Sequence, residues 1–151
     1  MSLGNIFDIA GSGMSAQTLR LNATASNLAN AETPAGSEAE AFKARYPLFS
    51  AVQNEAQMRL GDSGTNENFE GVKVTGVVES EKPVQLRYEP QHPLADQEGY
   101  VYYPNVNVVE EMTNMISASR SFQANVDVMN ATKTMLQRAP HFWGAHCMAL
   151  I

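Results

Sequence analysis

The sequence predicts an α+β protein. Long N- and C-terminal helices pair as a coiled-coil-like hairpin, with a small irregular and β-hairpin middle region between them. Three observations predict it. Two heptad-spaced seams stand at opposite ends of the chain. Between them the pattern breaks into turn residues and short β-branched runs. The charge divides along the same lines: residues 32–106 hold twelve acidic and six basic residues and account for the whole formal net charge of -6. The flanking segments are balanced, and near-neutral helices pack side by side without strong mutual repulsion.

The first seam runs Leu3, Phe7, Ala10, Met14, Gln17, Leu21, Thr24, Leu28. It alternates steps of four and three residues, the spacing of a helix face that packs along another helix. A helix is expected from about Leu3 to Asn30, with Ser2 as N-cap. It would be roughly 40 Å long. Gly11 and Gly13 each weaken it by up to about 1 kcal/mol relative to Ala. No strand precedes Gly11-Ser12-Gly13 and no Lys follows in the phosphate-loop position. The triplet therefore reads as a flexible joint or a site of close helix approach. Asn22, Asn27 and Asn30 can hydrogen-bond across an interface where Leu cannot. Thr33-Pro34-Ala35-Gly36 ends the helix, because the residue before Pro disfavours the α region.

Residues 32–70 read as a loop. Ser37 to Ala44 is charged and Ala-rich, and Gly61-Asp62-Ser63-Gly64-Thr65-Asn66 is linker material. Tyr46, Leu48 and Val52 partly alternate and suit one short strand. Residues 71–103 read as a twisted β-hairpin. Val72, Val74, Val77 and Val78 form one strand, Glu79 to Pro83 the turn, and Val84, Leu86 and Tyr88 the return strand. Gly99-Tyr100-Val101-Tyr102 is a short closing strand.

Asn105 or Asn107 begins the second helix. With Asn107 as N-cap, Glu110 falls at the third helical position, as in a capping box. Glu110 and Glu111 also suit the positive end of the helix dipole. The second seam runs Val108, Met112, Met115, Ser119, Phe122, Val126, Met129, Lys133, Leu136. Its methionines make an adaptable packing surface. The helix is expected to stop near Gln137, ahead of Pro140. The chain then divides into an N-terminal helix (1–31), a middle region (32–106), a C-terminal helix (107–137) and an atypical tail (138–151). The only Trp and the only Cys stand in that tail.

Several function classes are excluded. A pI near 5.0 and the lack of any Lys/Arg cluster argue against nucleic acid as a partner. No run of about 18 apolar residues supports membrane insertion, and no basic segment followed by an apolar core marks a cleavable signal. Cys147 stands alone, so no internal disulfide or thiolate cluster forms. His92 lies between prolines with no nucleophile motif nearby. His141, His146 and Cys147 match no standard zinc spacing. Glu110-Glu111 reads as a solvated pair rather than an acid/base couple. No catalytic, cofactor-binding or metal residue is assigned, and no cofactor is expected.

The run Ala25-Ser26-Asn27-Leu28-Ala29-Asn30-Ala31-Glu32-Thr33 resembles the N-terminal signature of bacterial flagellar rod and hook proteins. Four further stretches resemble the short proximal-rod members of that family, in the same order: 88–96 with Gly99-Tyr100-Val101, 104–112, 116–126 and 132–136. The resemblance covers about residues 1–137 and is weakest across 35–70. It implies a structural subunit and not an enzyme. Such subunits assemble through their terminal helices into a periplasmic tube of the basal body that transmits torque. The implied partners are copies of the chain itself, other flagellar rod proteins, the rod-to-ring adaptor at the base and the flagellar type III export apparatus. Export would proceed without a cleaved signal peptide.

On this reading the assembly residues of the first helix are Leu3, Phe7, Met14, Leu21, Asn27, Leu28 and Asn30. Those of the second are Val108, Met112, Met115, Phe122, Val126, Met129 and Leu136. Two other readings are weighed. A distal-rod or hook subunit would be longer in the middle. A wall-degrading enzyme would need a paired acid/base or metal site, which the sequence does not display.

Overall fold

The computed structural model describes residues 3–53 and 69–147, with side chains described within 4–52 and 71–138. Two long helices flank two small antiparallel sheets, so the chain is α+β. Helix α1 spans Leu3–Asn30, the predicted extent. The predicted cap Ser2 and the linker 61–66 lie outside the described residues.

Helix α2 spans Val108–Cys147. Asn107 caps it: its Oδ1 accepts from the N–H groups of Val109 at 3.0 Å and Glu110 at 3.3 Å. Those two donors would otherwise lack partners in the first turn. Glu110 reaches outward to Lys82 at 3.9 Å. The predicted stop at Gln137 is not where the helix ends, since it runs through Pro140 to Cys147. Proline inside a helix removes one hydrogen bond and crowds one carbonyl, at a cost of about 3 kcal/mol. The bonds on either side survive, so a long helix passes such a site by bending rather than ending.

The helices run antiparallel against one another. Gly13 faces Asn125, Arg20 reaches Asn114 and Asn27 reaches Glu111, so numbers rise along one helix as they fall along the other.

The strands depart from the predicted hairpin. Strand β1 (Arg45–Gln53) pairs with β2 (Phe69–Glu79), from Arg45↔Glu79 to Gln53↔Phe69, with register shifts at Leu48/Phe49 and Val52/Gln53. Strand β3 (Gln85–Tyr88) pairs with β4 (Tyr100–Tyr103) instead of with β2. Asn105 explains the break between β2 and β3. Its Nδ2 donates to the carbonyls of Ser80 at 3.3 Å and Lys82 at 2.6 Å, and its Oδ1 accepts from the Ala44 N–H at 2.8 Å. The Ser80 N–H also goes to the Ala44 carbonyl at 2.8 Å. Backbone groups that a β2–β3 turn would need are thereby committed elsewhere. The short strand expected around Tyr46, Leu48 and Val52 is present as the nine residues of β1.

The small core sits where the segments converge. Ala31, Ala44 and Val106 are buried together, with Phe42, Tyr46 and Val108 packed around them. Ala35 bridges to Tyr102 by two backbone hydrogen bonds of 2.8 and 3.1 Å, which ties the chain leaving α1 to β4.

Candidate assembly interface

On α1 the predicted seam positions with described side chains are buried or half-buried, but the residues seen to meet α2 are Gly13, Arg20 and Asn27, each one position before Met14, Leu21 and Leu28. Ala10 and Thr24 are buried, and Phe7, Met14, Gln17, Leu21 and Leu28 are half-buried. Asn27 is fully buried and Asn30 half-buried. The Leu3 side chain lies outside the described residues. Gln17 Oε1 is buried without a hydrogen-bond partner. Such a group costs about 1–3 kcal/mol.

The α2 seam is turned from its predicted position. Met115, Phe122 and Met129 are half-buried as expected. Between them, however, Glu111, Ala118 and Thr132 are buried, while Met112, Ser119 and Lys133 are exposed. Asn125 and Val126 share the remaining step, both half-buried; Val108 is half-buried and Leu136 exposed. The face that meets α1 therefore reads 111, 115, 118, 122, 125, 129, 132, which keeps the heptad spacing. Neighbouring residues stand about 100° apart around a helix, so the seam centre moves toward side chains one position earlier.

Two physical reasons favour the turned seam. Small side chains let helix axes come closer: Ala118 is fully buried, and a Cβ on Gly13 would lie 2.9 Å from Asn125 Nδ2. Of the two readings of the Gly-Ser-Gly triplet, close approach is the one this geometry supports. The second reason is that Glu111 finds donors. It is 1% exposed, yet its carboxylate accepts from Asn27 Nδ2 at 3.2 Å and from the Tyr46 hydroxyl at 3.0 Å. Sequence reasoning missed Glu111, Ala118 and Thr132 because it centred the seam on the methionines and carried the spacing on through Ser119 and Lys133. It also read Glu110-Glu111 as a solvated pair, which does not hold for the buried Glu111. The signal was present: the same heptad read one position earlier at every second step.

Asn27, Glu111 and Tyr46 form a polar node between α1, α2 and β1. Asn27 also pairs with the backbone of Arg45, accepting its N–H at 2.9 Å and donating to its carbonyl at 3.0 Å. Burial, then the hydrogen bond to Glu111, pushes the Tyr46 hydroxyl up to about 12. Asn30 turns inward on its own helix, donating to the Ser26 carbonyl at 2.8 Å. Beside the node lies an open cavity of about 370 Å³, lined by Arg20, Thr24, Tyr46, Pro47, Phe49 and Asn114.

The ribbon is fastened at its other end by Ser12. Its Oγ accepts from the Val72 N–H at 3.1 Å and donates to the Ile9 carbonyl at 2.8 Å. Gly71 has φ +140°, and a Cβ there would collide with Ser12. Only glycine suits that crossing.

On the far side of the middle region, Asp96 organises the turn before β4. Its carboxylate accepts from the N–H of Tyr100 and of Glu98, both at 2.9 Å. These bonds, the Tyr100 N–H first, hold it below the usual carboxylate range. His92 is used structurally, its Nδ1 accepting from the Leu94 N–H at 3.1 Å.

Among the described residues no group of three His, Cys, Asp or Glu is placed to hold a metal ion. No helix among them is long and apolar enough to cross a membrane. The side chains of His141, His146 and Cys147 lie outside the described set. What the helices do present is exposed apolar surface: Leu19 is 45% exposed, Val109 72%, Met112 52% and Ile116 57%.

Comparison with known proteins gives this surface a context. Residues 7–34 match the family described as flagella basal body rod protein. Residues 97–139 match the flagellar basal body rod FlgEFG protein C-terminal family. The chain is 48% identical to the flagellar basal-body rod protein FlgC of Salmonella typhimurium over 136 residues, covering 90% of this chain and 94% of that one. It is 38% identical over 140 residues to FlgC of Buchnera aphidicola subsp. Acyrthosiphon pisum, covering 91% and 96%. It is 34% identical over 146 residues to FlgC of Borreliella burgdorferi, covering 92% and 96%. With two long helices carrying the signature segments and relatives matched along nearly their whole length, the chain belongs to the FlgC family of flagellar basal-body rod proteins, structural subunits rather than enzymes.

Proposed function

We propose that this chain is a proximal-rod subunit that builds a periplasmic tube by side-by-side packing of its two terminal helices. The observation that carries the reading is the apolar surface left uncovered in the single chain. Val109, Met112 and Ile116 lie on successive turns of α2 and are each more than half exposed. Covering apolar area yields about 25 cal/mol per Å², so such a stripe favours association. The seams of α1 and α2 pair as a coiled-coil-like hairpin within the subunit, and the outward faces meet neighbours. Residues 32–106 then form an outer layer, and their acidic balance keeps that layer soluble.

The partners on this reading are further copies, other rod proteins and the rod-to-ring adaptor at the base. The flagellar type III export apparatus delivers the chain through an uncleaved N-terminal signal. The assembled tube carries torque because helices packed along its length resist twisting.

Phe122→Asp tests the seam. Phe122 is half-buried, and a charge forced into that place without a partner is costly. The variant is expected to be exported but not incorporated, and its cells to be non-motile. Normal motility with the variant present in purified basal bodies would overturn the assignment.

A further inference from the structure

We infer that Asn27, the first asparagine of the Asn-Leu-Ala-Asn element, is an intrachain joint that holds the β1–β2 ribbon to the helix pair, and not a contact between subunits. Its amide is fully employed inside one chain. The oxygen accepts from the Arg45 N–H, and the nitrogen donates both to the Arg45 carbonyl and to Glu111 Oε2. Bonding the N–H and the C=O of one residue is what a neighbouring strand does in an antiparallel hydrogen-bonded pair. The side chain of a helix residue thus stands in for a strand at the free edge of β1.

Nothing else of the same size fits these partners. Asp has the acceptor but no donors, and Leu has neither. With 0% exposure, Asn27 has no surface to offer a second copy. At this end of the ribbon an open cavity lies between β1 and the helices, and Ser12 fastens the opposite end. Leu48, Phe49, Val77 and Val78 on the ribbon are exposed rather than packed on the helices. The hydroxyl of Tyr46 closes the joint from the strand side by donating to Glu111 Oε1. Glu111 so receives one hydrogen bond from α1 and one from β1.

Amide hydrogen exchange on the full-length chain, read residue by residue, tests the joint. Asn27→Asp keeps the shape but places a carboxylate against the Arg45 carbonyl and Glu111. Exchange along β1, beginning at Arg45, is expected to rise about tenfold, while the seam amides of α1 and α2 change less than about twofold. Adding Glu111→Gln supplies a donor in the reverse direction, which repairs the contact with residue 111 but not the one with the Arg45 carbonyl, and should bring β1 exchange part of the way back toward the parent. Unchanged β1 exchange in Asn27→Asp, an equal rise in both helices, or no recovery in the double variant would each overturn the joint.

If Asn27→Asp does not fold, Tyr46→Phe carries the test, since it removes a single hydroxyl. It should raise β1 exchange about threefold with the helices unchanged, and no rise overturns the inference. Assembly separates this joint from the packing of the seams. Phe122→Asp should abolish assembly and leave β1 exchange as it was. A double variant Asn27→Asp, Glu111→Gln with the joint partly repaired should still assemble. Its failure to do so would make Asn27 a subunit contact after all.

Discussion

The two helical seams obey the same spacing but are built differently. Along α1 the shift is mild: Ala16 and Asn27 are buried more deeply than the predicted Gln17 and Leu28, but no predicted position with a described side chain is exposed. Along α2 every second position is displaced by one residue, so that Glu111, Ala118 and Thr132 are buried and Met112, Ser119 and Lys133 face outward. The difference teaches that hydrophobic periodicity locates a seam but does not centre it. Where a small residue allows closer approach, or a polar one finds partners, the helix turns to bury it and leaves a methionine outside. In a subunit that must also meet neighbours, the exposed methionine is useful surface.

The sharpest test of this contrast sets Glu111 against Met112. Glu111→Ala leaves the Asn27 amide and the Tyr46 hydroxyl short of a buried acceptor, a loss of about 2–3 kcal/mol in urea unfolding. Met112→Ala, at an exposed site, should cost less than about 1 kcal/mol. Equal losses would break the contrast. A second pair comes from Ala118 and Ser119. Ala118→Leu overfills a contact with 0% exposure and should destabilise by about 1–3 kcal/mol. Ser119→Leu should stay within about 0.5 kcal/mol. The reverse order would restore the seam predicted from apolar spacing.

Within α1 the two glycines sharpen the comparison. A Cβ at Gly11 meets nothing within 4 Å, so Gly11→Ala should raise stability by about 0.5–1 kcal/mol through helix propensity alone. Gly13→Ala should gain less, because Asn125 must yield to the added methyl. Thermal unfolding of the two variants distinguishes them. The last effect shows its pH dependence only in alkali. Tyr46 is raised from 10.0 to about 12, so the folded chain holds that proton more tightly than the unfolded one. Its stabilisation is complete below pH 10.0, is lost as pH rises through about 12, and is absent in Tyr46→Phe. Parallel urea titrations of the two proteins across this range give the measurement.

Much of the architecture was legible because local signals carry it. The end of α1 follows from Thr33-Pro34. The start of α2 follows from Asn107, whose side chain caps it as read. The signature segments identified the family, and the family matches over 7–34 and 97–139 cover most of them. The strand pairing was not legible. The segment 71–88 has the alternation and the turn residues of a hairpin, yet β2 pairs with β1. Asn105, far along the chain, captures the carbonyls between β2 and β3. No local pattern announces a contact made by a residue more than twenty positions away.

The extent of α1, the start of α2, the charge division and the heptad spacing are properties of neighbouring residues, so the amino-acid order was enough to establish them, whereas the end of α2 was placed too early at Gln137. Which way α2 is turned, what β1 pairs with and why Asn27 is an asparagine depend on groups that meet only after folding. Burial of Glu111 is favourable only once α1 and β1 each bring it a donor. A choice that rests on three distant segments at once has no signature in any one of them.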